Sequence, residues 1–147
     1  MQLKTVLNRV EPFKSFVYGK VQWLEGAPRP TLEVALHTRK NGRAICSGCG
    51  RPGPGYDRLP ERRFEFVPLW GMTVYFLYAL RRVDCPSCGV TVERVPWARG
   101  KCHLTISYRW FMAASTARRP RSTPSTRQAS VPYGFAATRR CAGSRRG

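Results

Sequence analysis

Two short cysteine pairs, Cys46-Ser47-Gly48-Cys49 and Cys85-Pro86-Ser87-Cys88, constrain this chain more than any other feature. Two residues between thiolates let the backbone turn tightly enough to set both sulfurs on one tetrahedral ion. Gly50 and Gly89 follow the pairs at equivalent positions, and glycine tolerates the positive φ that such a turn often needs on its way out. Together the pairs predict a closed structural site holding one Zn2+, with Cys46, Cys49, Cys85 and Cys88 as its ligands. Redox-active dithiols or disulfides, and unliganded thiols, are the competing readings of the same spacing. The 35 residues between the pairs exceed the spacing of a simple ribbon, so an inserted hairpin has to bring the two knuckles together.

That hairpin is visible as alternation. Arg63–Trp70 and Met72–Val83 alternate around Gly71, and a period of two is the pattern of strands. Leu32, Val34 and Leu36 alternate with Glu33, Ala35 and His37, which predicts a half-buried strand with His37 as a strand residue rather than a ligand or base. Val90–Val95 reads as one more short strand, and Cys46–Gly55 as a loop dense in Gly and Pro. Before these, residues 1–30 form a lead-in: Leu3, Val6, Leu7 and Val10 at helical spacing, then a strand around Phe16–Trp23 and a turn at Gly26–Pro30. The expected fold is α+β, a small β-rich zinc-ribbon-like domain over 31–98. A short C-terminal helix over 99–118 follows, capped by Thr105. A sheet this small buries little apolar surface, and structural zinc contributes on the order of 10 kcal/mol in small modules, enough to decide whether it folds.

Charge separates the chain into two parts. The whole sequence has 26 basic and 8 acidic residues, a formal net charge of +18. Residues 94–147 hold 12 of the basic residues and no acid, so residues 1–93 carry 14 basic and 8 acidic residues. Such an excess adds self-repulsion and points to an anionic partner, nucleic acid first. Arg58, Arg62, Arg63, Arg81, Arg82 and Arg94 are the candidate phosphate contacts inside the folded part, weighed against a merely solvated basic face. In 113–147, 30 of 35 residues are Ala, Arg, Ser, Thr, Pro or Gly, so a disordered basic tail is expected over 119–147.

Other functions find less support. Phe66–Leu80 is the longest uncharged run, fifteen residues broken by Pro68 and Gly71, too short and too interrupted to span a bilayer. Met1–Val10 is not a secretion signal, so no membrane partner and a cytoplasmic location are expected. Asp57, Asp84 and Glu93 can be drawn as a metal-binding triad on paper, but turn and solvated roles suit Asp57 and Asp84 better. No catalytic constellation emerges, and the chain is expected not to be an enzyme. Cys102 and His103 lack a matching partner pair and read as surface or packing residues, while Cys141 falls in the tail. Phe64, Phe66, Trp70, Tyr75, Phe76 and Tyr78 could stack bases, yet their density and alternation favour a core.

The segments Cys46–Arg58, Arg62–Gly71, Arg81–Val90 and Val92–Trp97, then Gly100-Lys101 and Leu104-Thr105, resemble the N-terminal zinc-finger region of ISL-three type insertion-sequence transposases. The resemblance runs from about Met1 to about Ala114. It implies that the four cysteines are zinc ligands and that the module helps recognise the terminal inverted repeats of an element in double-stranded DNA. In the family a helix-turn-helix and a metal-dependent nuclease domain follow; the helix over 99–118 is expected to be the start of a truncated helix-turn-helix region, and the catalytic acids are expected to have no counterpart here. After Phe111 the pattern departs abruptly, which suggests truncation and a reading-frame shift after about residue 112. A full-length transposase is then a second candidate partner. An inhibitory or non-functional remnant, or a free-standing zinc-ribbon protein that binds nucleic acid, are the alternative readings.

Overall fold

In the computed structural model, which describes residues 2–117, helix α1 (Leu3–Val10) leads into strand β1 (Phe16–Trp23). Strands β2 (Thr31–Thr38), β3 (Ala44–Ile45), β4 (Pro52–Gly53), β5 (Gly55–Leu69), β6 (Met72–Cys85) and β7 (Gly89–Val92) follow, and helix α2 (Ile106–Ala117) closes the described chain. The result is a small, β-rich fold with two helices.

Strand β6 organises it. One edge pairs antiparallel with β5, from Leu69↔Met72 to Gly55↔Val83. The opposite edge is shared: β2 runs parallel to its first half, Thr31↔Thr73 to Ala35↔Leu77, and β7 runs antiparallel to its end, Arg82↔Val92 to Cys85↔Gly89. Strand β1 then pairs with β2, giving the order β1-β2-β6-β5 with β7 beside β6. The β5–β6 hairpin turns on Trp70 (φ 49°) and Gly71 (φ 77°). Two successive positive φ values match the right-handed twist of the flanking strands.

Alternation decides which residues meet. Val74, Phe76, Tyr78 and Leu80 of β6 and Phe64 and Phe66 of β5 are buried on one face, together with Leu32, Val34 and Leu36 of β2. Helix α1 adds Leu7, the turn before β1 adds Phe13, and the segment after β7 adds Val95, Trp97 and Ala98. Trp97, 1% exposed, is the centre of an aromatic cluster, with ring centroids 5.1 Å from Phe13, 4.7 Å from Phe16, 5.2 Å from Tyr78 and 6.2 Å from Phe64. Offset and edge-to-face contacts of this kind add to the burial of each ring.

Two expectations need correcting. The β2 pattern predicts a strand with one polar face, but Thr31 and Glu33 are as buried as Leu32. Strand β2 lies between two neighbours, and the Glu33 carboxylate meets Arg63 at 2.9 Å and accepts from Gln22 Nε2 at 3.3 Å. Trp70, read with the core aromatics, is instead 80% exposed, because the hairpin turn carries it past the end of the sheet. Near the C-terminal end, Thr105 caps α2 as its sequence suggests: the Tyr108 amide donates to Thr105 Oγ1 at 3.2 Å. Residues 103–105 also extend the sheet edge, since the Glu65 amide donates to the His103 carbonyl and the Thr105 amide to the Glu65 carbonyl. The tail expected to be disordered over 119–147 and Cys141 lie outside the described residues, whereas residues 113–117, just downstream of the expected frame-shift boundary, continue helix α2.

Candidate metal centre and its surroundings

Each cysteine pair folds into the same local device. Strand β3 ends at Ile45 and delivers Cys46, and β6 ends at Cys85. In each case the chain then turns through two residues to a second cysteine and leaves through a left-handed glycine, Gly50 (φ 74°) or Gly89 (φ 71°). The first turn is closed by the Gly50 amide donating to the Cys46 carbonyl at 3.0 Å and the Cys46 amide donating to the Arg51 carbonyl at 2.9 Å. It is fastened to the sheet by the Arg94 amide donating to the Ile45 carbonyl at 2.7 Å and by a bridge between Cys46 and Glu93.

The four sulfurs come together. All four Sγ atoms of Cys46, Cys49, Cys85 and Cys88 lie within 4.8 Å of one another, with Cys49 and Cys85 only 3.4 Å apart. A tetrahedron of thiolates around zinc at the usual bond length has sulfur–sulfur edges of about 3.8 Å, so a metal ion fits between them with little adjustment. Gly48 makes the approach possible, since a Cβ there would sit 2.9 Å from Cys88 Sγ. Burial alternates by knuckle: Cys46 and Cys85 are buried, Cys49 and Cys88 exposed.

The protonation behaviour of the thiols also suits a cation. A hydrogen bond with Thr91 Oγ1, at 3.1 Å, and another from the Cys49 backbone lower the Cys46 thiol to about 6. Desolvation and hydrogen bonding to the other three sulfurs push Cys88 up to about 12. A negative charge is thus easily formed at Cys46 and resisted at Cys88, where desolvation and the neighbouring sulfurs oppose it. A divalent cation removes that resistance. Four sulfur donors and no water-facing fifth ligand suit a soft or borderline ion in a structural role.

Beside the cluster lies a buried ion pair that the sequence did not announce. Glu93, whose side chain is 1% exposed, accepts from Arg81 Nε at 2.9 Å, from an Arg81 terminal nitrogen at 2.8 Å, from the Arg81 amide at 2.8 Å and from the Tyr78 hydroxyl at 2.6 Å. Arg81 donates its remaining terminal nitrogen to the Gly42 carbonyl at 3.0 Å. Glu93 therefore takes no part in a carboxylate triad. Asp57 is held well below the usual carboxylate range by its forked hydrogen bonds from Arg82, one of them 2.6 Å from Nε to Oδ1, and Asp84 is exposed. The three acids are not assembled.

The six arginines named from sequence divide accordingly. Arg81 is committed to Glu93 and Gly42, 14% exposed, and offers no edge to a ligand, which removes it from the set. Arg82 is forked onto Asp57 and lies over the Tyr56 ring, 5.4 Å from its centroid. Arg63 pairs with Glu33 while remaining 58% exposed. Arg58 is exposed on β5. Arg62 and Arg94 alone line a common cleft. Cys102 is buried and His103 exposed, its carbonyl joined to the sheet.

Over 64 residues the chain is 41% identical to the transposase for insertion sequence element IS1557 of Mycobacterium tuberculosis, in both the CDC 1551 / Oshkosh and H37Rv strains. The similar stretch covers 43% of this chain and 14% of those transposases, so the chain spans only a small part of their length. No family model matches the chain, and no solved structure matches it. Over those 64 residues the chain is similar to a transposase, and its described residues form a small β-rich unit bearing four clustered cysteines that could hold a metal ion. Among the described residues, no helix is long and apolar enough to cross a membrane.

Proposed function

We propose that this chain is the zinc-binding, DNA-contacting portion of an insertion-sequence transposase of the ISL-three type. One structural Zn2+ would be held by Cys46, Cys49, Cys85 and Cys88. Convergence of those four sulfurs, in a chain similar to a transposase over 64 residues, is the observation that carries the reading. The ion would supply folding energy rather than Lewis-acid chemistry, since four protein ligands leave no open position. Double-stranded DNA at the terminal inverted repeats of the element is the proposed partner, with Arg58, Arg62, Arg63, Arg82 and Arg94 as surface cations within reach of phosphates.

The test is metal content followed by DNA binding. Full-chain protein purified in reducing buffer should contain one zinc per chain. It should also bind the element's terminal repeat more tightly than a scrambled duplex of equal length. Equal, steeply salt-dependent binding to both duplexes would reduce the role to charge alone and overturn recognition of element ends. A chain that folds with no metal bound would overturn the structural zinc.

A further inference from the structure

Between β5, the end of β7 and the start of α2 lies an open cleft of about 1110 Å³. Arg62, Arg94, Arg99, Lys101 and His103 all line it, and Glu93 is the only acid in its wall. Of these residues the sequence alone had named only Arg62 and Arg94 as phosphate contacts. Arg99, Lys101 and His103 join them because residues 93–103 return across the sheet and then pair with its β5 edge.

The charge in this cleft has no internal counterpart. The Glu93 carboxylate is fully engaged by Arg81 and Tyr78. The ion pairs among the described residues are Arg63–Glu33, Arg81–Glu93 and Arg82–Asp57, so none of the five cleft residues is in one. No acid follows Glu93 in the sequence, so the remainder of the chain has no acidic side chain with which to neutralise them. Four permanent cations on one concave wall repel one another and reduce stability unless an external anion offsets them. Arg62 is also fixed in place: it donates to the Lys101 carbonyl at 3.1 Å and lies over the Phe64 ring, 5.3 Å from its centroid. An apolar floor of Leu59, Phe64, Leu80 and Val95 lies beneath, and weak solvation there strengthens a charge–charge contact.

We infer that this cleft is the chain's phosphate-backbone site for double-stranded DNA, with Arg94, Arg99 and Lys101 as its principal contacts and Arg62 as a fixed guanidinium on its wall. The inference rests on the DNA-binding reading above and deepens it by assigning the surface. It makes the segment after the second cysteine knuckle the principal contact surface and leaves the outer arginines Arg58, Arg63 and Arg82 a secondary one. Contacts of this kind set affinity and orientation on a duplex and carry no base information.

The experiment compares three forms of the zinc-loaded full chain by fluorescence anisotropy on one duplex between 50 and 200 mM salt. They are the wild type, the cleft triple Arg94→Ala/Arg99→Ala/Lys101→Ala, and a charge-matched triple Arg9→Ala/Lys20→Ala/Arg29→Ala on exposed positions elsewhere. Losing three phosphate contacts should flatten the plot of log affinity against log salt by about 2.7. The wild-type advantage over the cleft triple should then shrink about 40-fold across that salt range. The matched triple should keep a near-wild-type slope, and near-ultraviolet circular dichroism should match in all three. Equal slopes for the two triples, in a protein that does bind DNA, would overturn the cleft and leave DNA binding standing. Absence of duplex binding by the wild type at 50 mM salt would overturn both.

Discussion

Replacing Glu93 by Gln keeps the shape of the side chain and removes its charge, which isolates what the buried pair with Arg81 contributes. If the amide oxygen takes the place of Oε1, it still accepts from the Tyr78 hydroxyl and the Arg81 amide, now 2.6 and 2.8 Å away. The amide nitrogen then faces Arg81 Nε and its terminal nitrogen, donors with nothing to accept them, where the carboxylate now accepts both at 2.9 and 2.8 Å. Two charge-assisted hydrogen bonds disappear, and a guanidinium that is only 14% exposed is left uncompensated. Breaking a buried pair from one side costs 3–5 kcal/mol. Arg81 retains some solvent and its bond to Gly42, so the lower end applies, about 3 kcal/mol. For a domain of this size that corresponds to a fall in Tm of roughly 15 °C. Urea denaturation of the zinc-loaded protein, followed by tryptophan fluorescence, measures it directly. The double variant Arg81→Met/Glu93→Leu supplies the control, because an apolar replacement of both partners should recover most of the loss. A Glu93→Gln midpoint within about 1 kcal/mol of wild type would refute the argument, since a loss that small is that of one ordinary neutral hydrogen bond.

Other outcomes follow from the same structure. Trp97→Ala should cost about 4 kcal/mol and broaden the near-ultraviolet spectrum of the core, because four rings lose their common neighbour. Trp70→Ser, at the exposed turn, should change stability by less than about 0.5 kcal/mol while removing the most red-shifted component of the emission. Zinc binding at pH 7 should release fewer than four protons, Cys46 having already lost its own at about 6, as calorimetry in buffers of different ionisation heat would count. Because the metal binds thiolates only, apparent zinc affinity should rise with pH, most steeply below about 6, where the Cys46 proton must be displaced as well.

Local patterns carried much of this fold. Alternation located β6 and the second half of β5, the glycines after each cysteine pair marked the knuckle exits, and Thr105 marked the start of α2. Each of these signals lies within a few residues of what it specifies. Long-range pairings left no such trace. Nothing near Thr31–Thr38 indicates that it will run parallel to β6, and so nothing local marks Glu33 as buried. Glu93 reads as a residue of a short strand and Trp97 as one just beyond it, and only the return of that segment across the sheet makes one Arg81's partner and the other the core's centre. The same holds for the cleft: nothing local marks Arg99, Lys101 and His103 as neighbours of Arg62, because their proximity depends on how residues 93–105 close against the β5 edge.

The unequal burial of the two cysteines in each knuckle has a bearing on how a metal would leave. Cys49 and Cys88 are exposed, while Cys46 and Cys85 sit at strand ends inside the fold. A competing chelator or an electrophile can therefore reach one sulfur of each pair without unfolding anything. Exchange should then be associative, its rate rising with chelator concentration, with the outer sulfurs released first. Release of the inner pair is slower, because Cys85 is continuous with the strand that three other strands flank. Oxidants would encounter the same asymmetry, and a bond between the two outer sulfurs would eject the ion while the sheet remained folded for a time.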